Sequence, residues 1–256
     1  MSASGSLEFL AVDTASADAR FAPLARSPMA AAAAAAGGRF ESRDGWSVVV
    51  DFGNVAAELQ AIEQTVGFGD SSHLGKLELQ ASARDLATIV AGAAGEPIPL
   101  HVGTASADGG VWWCPLTPSR VLAICPSANT ASLRERLVAA AAAATGAASV
   151  TEVTTLHGAL TLAGPLALEL FARFCALDLR PQSTPLRGLR PGSVARTPGL
   201  VLREGEQRYL ALFGWALGEY VWGVVEDAAR HLGGRPVGAD ALASGERHHA
   251  EVGAGA

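Results

Sequence analysis

Three cysteines in 256 residues, Cys114, Cys125 and Cys175, are too few to staple a fold, and they cannot all pair within one chain. None shares a CxxC or Cys/His ligand spacing with another, which excludes a disulfide framework and a zinc module and predicts a reducing, cytoplasmic compartment. Charge is sparse as well. Charged residues make up 17% of the chain, and 19 Lys+Arg against 25 Asp+Glu leave a net charge of −6 with no basic run to neutralise a phosphate backbone. Nucleic acid is therefore not an expected partner. Lysine is nearly absent, Lys76 being the sole one. The alanine-rich stretches Met29 to Ala36 and Val138 to Ala144 are broken well short of the roughly 20 apolar residues of a membrane helix. The segment Met1 to Leu10 carries Glu8 and no basic residue, unlike a secretory signal. A soluble protein with no membrane association is expected.

What the chain does have is apolar residues, 49% of the total, enough to bury a substantial core without external support. Residues 1–26 read as a flexible lead-in that can pair one strand at Leu7 to Val12, and residues 244–256 as a flexible tail. Between them the periodicity alternates between two kinds. Met29 to Ala36 predicts a short helix ended by Gly37-Gly38, Trp46 to Phe52 a buried strand, and Val55 to Thr65 a helix with Val55, Leu59, Ile62 and Val66 at helical spacing. Gly75 to Gln80 alternates as a half-buried strand, with Leu77 and Leu79 on one side and Lys76 and Glu78 on the other. Ser82 caps a helix to about Val90; a hairpin follows at Val111 to Leu116 and Arg120 to Ile124, then a long helix from about Thr130 to Ala144 capped by Asn129 or Thr130.

After Gly146 the same order recurs. Ala159 to Ala163 is a strand, Gly164-Pro165 opens a helix through Phe174, Leu200 to Arg203 and Tyr209 to Phe213 form a second hairpin, and Leu217 to Leu232 is a second long helix. The strand starts at Gly75 and Gly158 are offset by about 83 residues and the hairpins by about 89, so an approximate duplication fits both; chance patterning in an alanine-rich chain is the alternative. Strand, helix, two strands and helix, closed by one further strand, is the order of a ferredoxin-like unit, with Val150 to Thr155 available to close the first. The expected class is α+β, with duplicated ferredoxin-like units in residues 27–147 and 148–243.

The chemistry-bearing residues are few. Asp70-Ser71-Ser72-His73 offers carboxylate, hydroxyl and imidazole beside a strand, but adjacent loop residues rarely reach triad geometry and no GxSxG turn is present, so a loop satisfying its own backbone is the larger share of the reading. Gly67-Phe68-Gly69 lacks the third glycine of a dinucleotide fingerprint, and no phosphate loop exists. His248-His249 sits in the tail, and neither His101 nor His157 has a helical i,i+4 partner, so no metal site is expected. Alternation places Lys76 outward on its strand as a solvated lysine rather than a Schiff-base nucleophile. Trp112 and Trp113, neighbours on a strand, must face opposite sides, one in the core and one toward a cleft or partner. Tyr220 and Trp222 are expected to pack against the sheet.

Specific residues also carry a family resemblance. Ser27-Pro28 before a helix, Gly37 to Phe40, Gly45-Trp46, Glu58, Val66-Gly67-Phe68 and the stretch Asp70-Ser71-Ser72-His73-Leu74-Gly75-Lys76 resemble the opening of the glycine-cleavage T-protein, an aminomethyltransferase that uses tetrahydrofolate. Ala163-Gly164-Pro165, Cys175 to Leu179, Tyr220-Val221-Trp222 and Glu226 to Ala229 are more similar to the gamma subunit of heterotetrameric sarcosine oxidase. The resemblance spans residues 26–242 and implies the duplicated folate-binding fold, with tetrahydrofolate as cofactor in a central hole. T-proteins carry a further C-terminal barrel; here the chain reaches only Pro236 to Asp240 where that region would begin, so the barrel is expected to be missing.

Carried over position by position, the resemblance implies cofactor contacts at Asp70, His73, Leu74, Ser132, Arg196 and Glu206. The family's essential aspartate falls on Ser132, whose hydroxyl cannot hold negative charge against a developing cation. The pterin-binding glutamate falls on Leu210, unless Glu206 or Glu204 substitutes through a register shift. No catalytic residue is assigned. The resemblance thus implies an accessory subunit of a sarcosine-oxidase-type complex, whose partners are the other subunits of a flavin-dependent amine oxidase. The alternative is a stand-alone tetrahydrofolate-dependent aminomethyltransferase or demethylase using Asp70, His73 and Ser132.

Overall fold

The computed structural model describes residues 24–244. The strand expected at Leu7 to Val12 and the His248-His249 pair lie outside the described residues. The described chain begins with a small outlying sheet. β1 (Ala25–Arg26) and the short helix α1 (Ala30–Ala35) lead to the hairpin of β2 (Arg39–Arg43) and β3 (Trp46–Asp51), on whose other edge β1 pairs in parallel. Asp44 and Gly45 make the turn with φ of 49° and 78°, the left-handed pair that suits a two-residue hairpin. α2 (Val55–Gln64) is capped by the Asn54 side chain, which accepts from Ala57 N–H, and β4 (Gly67–Asp70) follows.

The first unit comprises β5 (Gly75–Gln80), α3 (Ala83–Ala94), β6 (Ser106–Asp108), β7 (Val111–Thr117), β8 (Arg120–Cys125), α4 (Thr130–Ala142) and β9 (Ser149–Glu152). Ser82 caps α3 by accepting from Asp85 N–H, as expected, but the helix continues past Val90 to the left-handed Gly95, φ 94°. The antiparallel sheet runs β6-β7-β8-β5-β9, with the closing strand β9 paired to β5. The second unit comprises β10 (His157–Ala163), α5 (Ala167–Phe174), β11 (Leu189–Val194), β12 (Thr197–Gly205), β13 (Arg208–Gly214), α6 (Gly218–Arg230) and β14 (Arg235–Pro236). Its sheet runs β11-β12-β13-β10-β4-β14. The place beside β10 that β9 holds beside β5 is taken by β4, a strand from before the first unit. The two units are therefore interlocked along the chain.

The architecture is α/β/β/α. On the outer face of the first sheet, Leu77, Leu79, Trp113, Val121 and Ala123 pack beneath α3 and α4 through Leu86, Ile89, Leu133 and Leu137. On the outer face of the second, Phe68, Leu160, Leu162, Tyr209 and Phe213 pack beneath α1, α5 and α6 through Ala33, Phe171, Val221 and Trp222. The inner faces meet across a third apolar layer containing Cys114, Leu122, Ile124, Leu189, Leu200, Leu202, Leu210 and Leu212. Trp113 is buried on the helix side while Trp112 packs against the layer between the sheets, as the alternation requires. Trp222 is buried as expected, with Phe68 edge-on at 5.1 Å, but Tyr220 is 48% exposed. Among the described residues no helix is long and apolar enough to cross a membrane. The three cysteines are free and buried.

Gly67-Phe68-Gly69 forms β4, and its glycines serve packing. With Phe68 turned into the outer core, Gly67 and Gly69 face the segment at Val237, and a Cβ on Gly69 would lie 2.4 Å from the Val237 carbonyl oxygen. Glu58 holds the same region together: fully buried, it accepts from the backbone N–H groups of Phe52 (2.6 Å) and Gly238 (2.8 Å). Gly69→Ala should lower stability by about 1–3 kcal/mol, the usual result of overpacking against backbone. The midpoint of urea unfolding checks this, and an unchanged midpoint would contradict the close approach.

Candidate functional site

The side chains that face the space between the sheets are dictated by strand alternation. On β5 they are Lys76, Glu78 and Gln80, running from fully buried to exposed. The expectation of a solvated Lys76 is therefore corrected. The strand alternates as expected, but the face that would otherwise meet water is covered, and Lys76 is 0% exposed. Its ammonium donates to the carbonyl oxygens of Ser72 (2.9 Å) and Leu74 (2.8 Å), pinning the β4–β5 connection. Burial lowers its pKa to about 8, with Asp70 and then Cys125 acting in the opposite direction. Around it, Ser71 Oγ and Thr161 Oγ1 share a buried hydrogen bond of 2.7 Å, and Ser72 Oγ accepts from Ala159 N–H at 3.0 Å.

Asp70, His73 and Leu74 are brought together at this junction. Asp70 Oδ1 accepts from Ser72 N–H at 2.9 Å, the turn-satisfying role expected of such a loop. Burial holds the His73 imidazole below its ordinary pKa, with Asp70 pulling up and Lys76 pushing down. Leu74 packs against the intersheet layer. The other three expected site residues are placed elsewhere. Ser132 is exposed on the first turn of α4, its hydroxyl donating to the Asn129 carbonyl oxygen at 3.0 Å. Arg196 is exposed in the two-residue turn between β11 and β12, with φ of 62°. Glu206 is exposed at the turn between β12 and β13 and gives only its backbone carbonyl, to the guanidinium of the buried Arg203 at 3.1 Å. No hydrogen bond links Ser132 to Asp70 or His73.

Beside the filled part of the layer lies a cavity of about 620 Å³, walled by Leu122, Leu189, Leu200, Leu212 and Phe213 from both sheets. Its polar side chains are Glu78, Arg120 and His157. Arg120 and Glu78 pair at 2.5 Å, and Gln80 Nε2 donates to the other Glu78 oxygen at 2.6 Å. Burial, then Lys76, lowers the pKa of His157, which has no hydrogen-bond partner among the described residues. Sequence reasoning missed these three because their meeting depends on how β5, β8 and β10 are juxtaposed across the two sheets. The only local signal was Glu78 sharing a face with Lys76. Among the described residues there is no cluster of three His, Cys, Asp or Glu side chains able to hold a metal ion.

The two packed sheets and their outer helices define an α+β domain, and comparison with known proteins gives its family. Residues 29–253 match the model of the GCVT N-terminal domain. The chain belongs to this family. An aminomethyltransferase from Frankia alni (strain DSM 45986 / CECT 9034 / ACN14a) is 30% identical over 232 residues, covering 85% of this chain and 61% of the relative. The glycine cleavage system aminomethyltransferase T from Bartonella henselae superposes with a TM-score of 0.73 at 15% identity, over 85% of this chain and 60% of that one. A chain of heterotetrameric sarcosine oxidase from Corynebacterium sp. U-96, in complex with pyrrole 2-carboxylate, superposes with a TM-score of 0.63 at 23% identity, over 81% of this chain and 96% of that one. The chain thus spans about three fifths of the length of the aminomethyltransferases it matches.

The buried lysine makes a pH prediction. Its folded-state pKa lies below that of unfolded lysine, so the penalty for burying the ammonium is fully present below pH 8 and is relieved as pH rises from about 8 toward 10.5. Stability measured by urea unfolding should rise across that window, by at most about 1.4 kcal/mol per pH unit. In Lys76→Met this rise should be absent; a variant with the same slope as the wild type would show that another group is responsible.

Proposed function

We propose that this chain is an accessory subunit of a sarcosine-oxidase-type amine-oxidising complex, in which the flavin and the amine chemistry belong to partner chains. The observation that carries the reading is the composition of the layer between the sheets. Leu210, at the position where the family resemblance expects a pterin-binding glutamate, is fully buried in a cluster with Leu202 and Leu212. The two unpaired buried side-chain donors among the described residues, Trp113 Nε1 and Trp222 Nε1, lie in the outer cores, so none faces this layer. A pterin carries several hydrogen-bonding groups along its edge, and each one buried without a partner costs about 1–3 kcal/mol. The apolar residues clustered around Leu210 do not fit it. Ser132 likewise supplies no charge where the family's aspartate is expected, and it is exposed on α4. The likeness in fold to a chain of heterotetrameric sarcosine oxidase, over 96% of that chain, supports the same reading.

A second reading, a tetrahydrofolate-dependent aminomethyltransferase or demethylase, is favoured by the gathering of Asp70 and His73 beside the buried Lys76. The two readings separate experimentally. For the accessory subunit, calorimetry of the isolated chain with tetrahydrofolate should give no binding, aminomethyl transfer should be absent, and affinity purification from cells should retain a flavoprotein in a fixed ratio. A monodisperse monomer that converts tetrahydrofolate with an aminomethyl donor, losing the activity in His73→Ala, would overturn the accessory reading in favour of the second.

A further inference from the structure

The open part of the intersheet layer differs in kind from the filled part. Its volume of about 620 Å³ falls within the range of small-molecule sites, about 300–1,000 Å³, and equals the volume of about twenty waters. Leucine walls offer those waters few hydrogen bonds, so an apolar body entering the cavity is favoured over the water it displaces. The polar groups meet the cavity together, and they are not evenly matched. Both oxygens of Glu78 already accept, from Arg120 and Gln80, and its side chain is only 12% exposed. The Arg120 side chain is 44% exposed and spends one of its nitrogens on Glu78. His157 is half-buried with its ring unpaired among the described residues. Deeper on the same face of β5, the charge of Lys76 bears on His157. Among the side chains on the wall the free donors, on Arg120 and His157, face no free side-chain acceptor, since the one carboxylate is already engaged.

We propose that this cavity is a binding site for a small organic carboxylate with an apolar ring or chain as its body. The carboxylate is received by the guanidinium of Arg120 and the imidazole of His157, and the body lies among Leu122, Leu200 and Leu212. The site does not depend on the accessory-subunit reading, because it uses neither Leu210 nor Ser132, the two positions on which that reading turns. It is also distinct from a pterin site, since it asks for one charged group at one end of an otherwise apolar molecule.

Calorimetric titration of the full chain with indole-3-acetate, and with its cationic and uncharged counterparts tryptamine and 3-methylindole, tests the proposal. Indole-3-acetate should bind at least about tenfold more tightly than either counterpart, the advantage of a charge-assisted contact. Arg120→Gln, at an exposed position, should abolish that preference while leaving the binding of 3-methylindole unchanged. Leu200→Phe, which fills the cavity, should weaken all three, with its thermal midpoint recorded to establish that it folds. Absence of indole-3-acetate binding to the folded protein, a preference for tryptamine, or binding that survives both substitutions would overturn the proposal. Tetrahydrofolate titrated in parallel reads the accessory-subunit question separately: its binding counts against that reading and leaves the outcome for the carboxylate unchanged.

Discussion

The face-to-face packing of two twisted sheets is the constraint on which the rest of this molecule depends. Each sheet already has helices on its outer face, so the inner faces have nothing to bury against except each other. The strands consequently become apolar on both sides: β8 sends Val121 and Ala123 to the helices and Leu122 and Ile124 to the opposing sheet. The strand β4 locks the arrangement, because the chain contributes it to the second sheet before building the first. The first unit completes its sheet from its own strands, whereas the second needs β4, a strand from before the first unit.

That packing also creates the chemistry of the interior. An isolated sheet would leave Lys76 in water, where a lysine has nothing to report. Under the second sheet its ammonium is held by two backbone carbonyls without a carboxylate hydrogen bond, a costly arrangement tolerated because it fixes the connection bearing Asp70 and His73. The same sheet-to-sheet contact divides the interior in two. Leu210 lies inside an apolar cluster, and beside Leu200 and Leu212 of the same cluster a cavity opens with Arg120, Glu78 and His157 on its wall. The chain thus keeps a ligand-sized space beside an apolar cluster.

Local signals in the chain were strong where short-range physics decides the outcome. Ser82 marks a helix start because a side-chain oxygen three residues before a free N–H can reach it, whereas Asn129 precedes α4 without a side-chain capping hydrogen bond, contrary to expectation. The hairpins at Val111 and Leu200, and the closing strand β9, followed from alternation and short connections. The glycine pair around Phe68 was harder to interpret. A glycine can mark a turn, a phosphate loop or a close approach, and only the arrival of Val237, from far along the chain, makes Gly67 and Gly69 packing residues. Of the site residues expected from the resemblance, Asp70, His73 and Leu74 are gathered at one junction, while Ser132, Arg196 and Glu206 fall on a helix surface and two hairpin turns.

Residue order alone was sufficient for the α+β class and for the opposite faces of Leu77 and Lys76 on β5 and of Trp112 and Trp113 on β7, because these follow from periodicities of two and 3.6 and from the chemistry of caps and turns. It was not sufficient to say what each face would meet. Whether the face bearing Lys76 and Glu78 looked onto water or onto another sheet, which strand would close the second unit, and where the interior would be filled or left open were settled by contacts between residues far apart in the chain. Such contacts are governed by shape and burial summed over the whole molecule, which no local window of sequence contains.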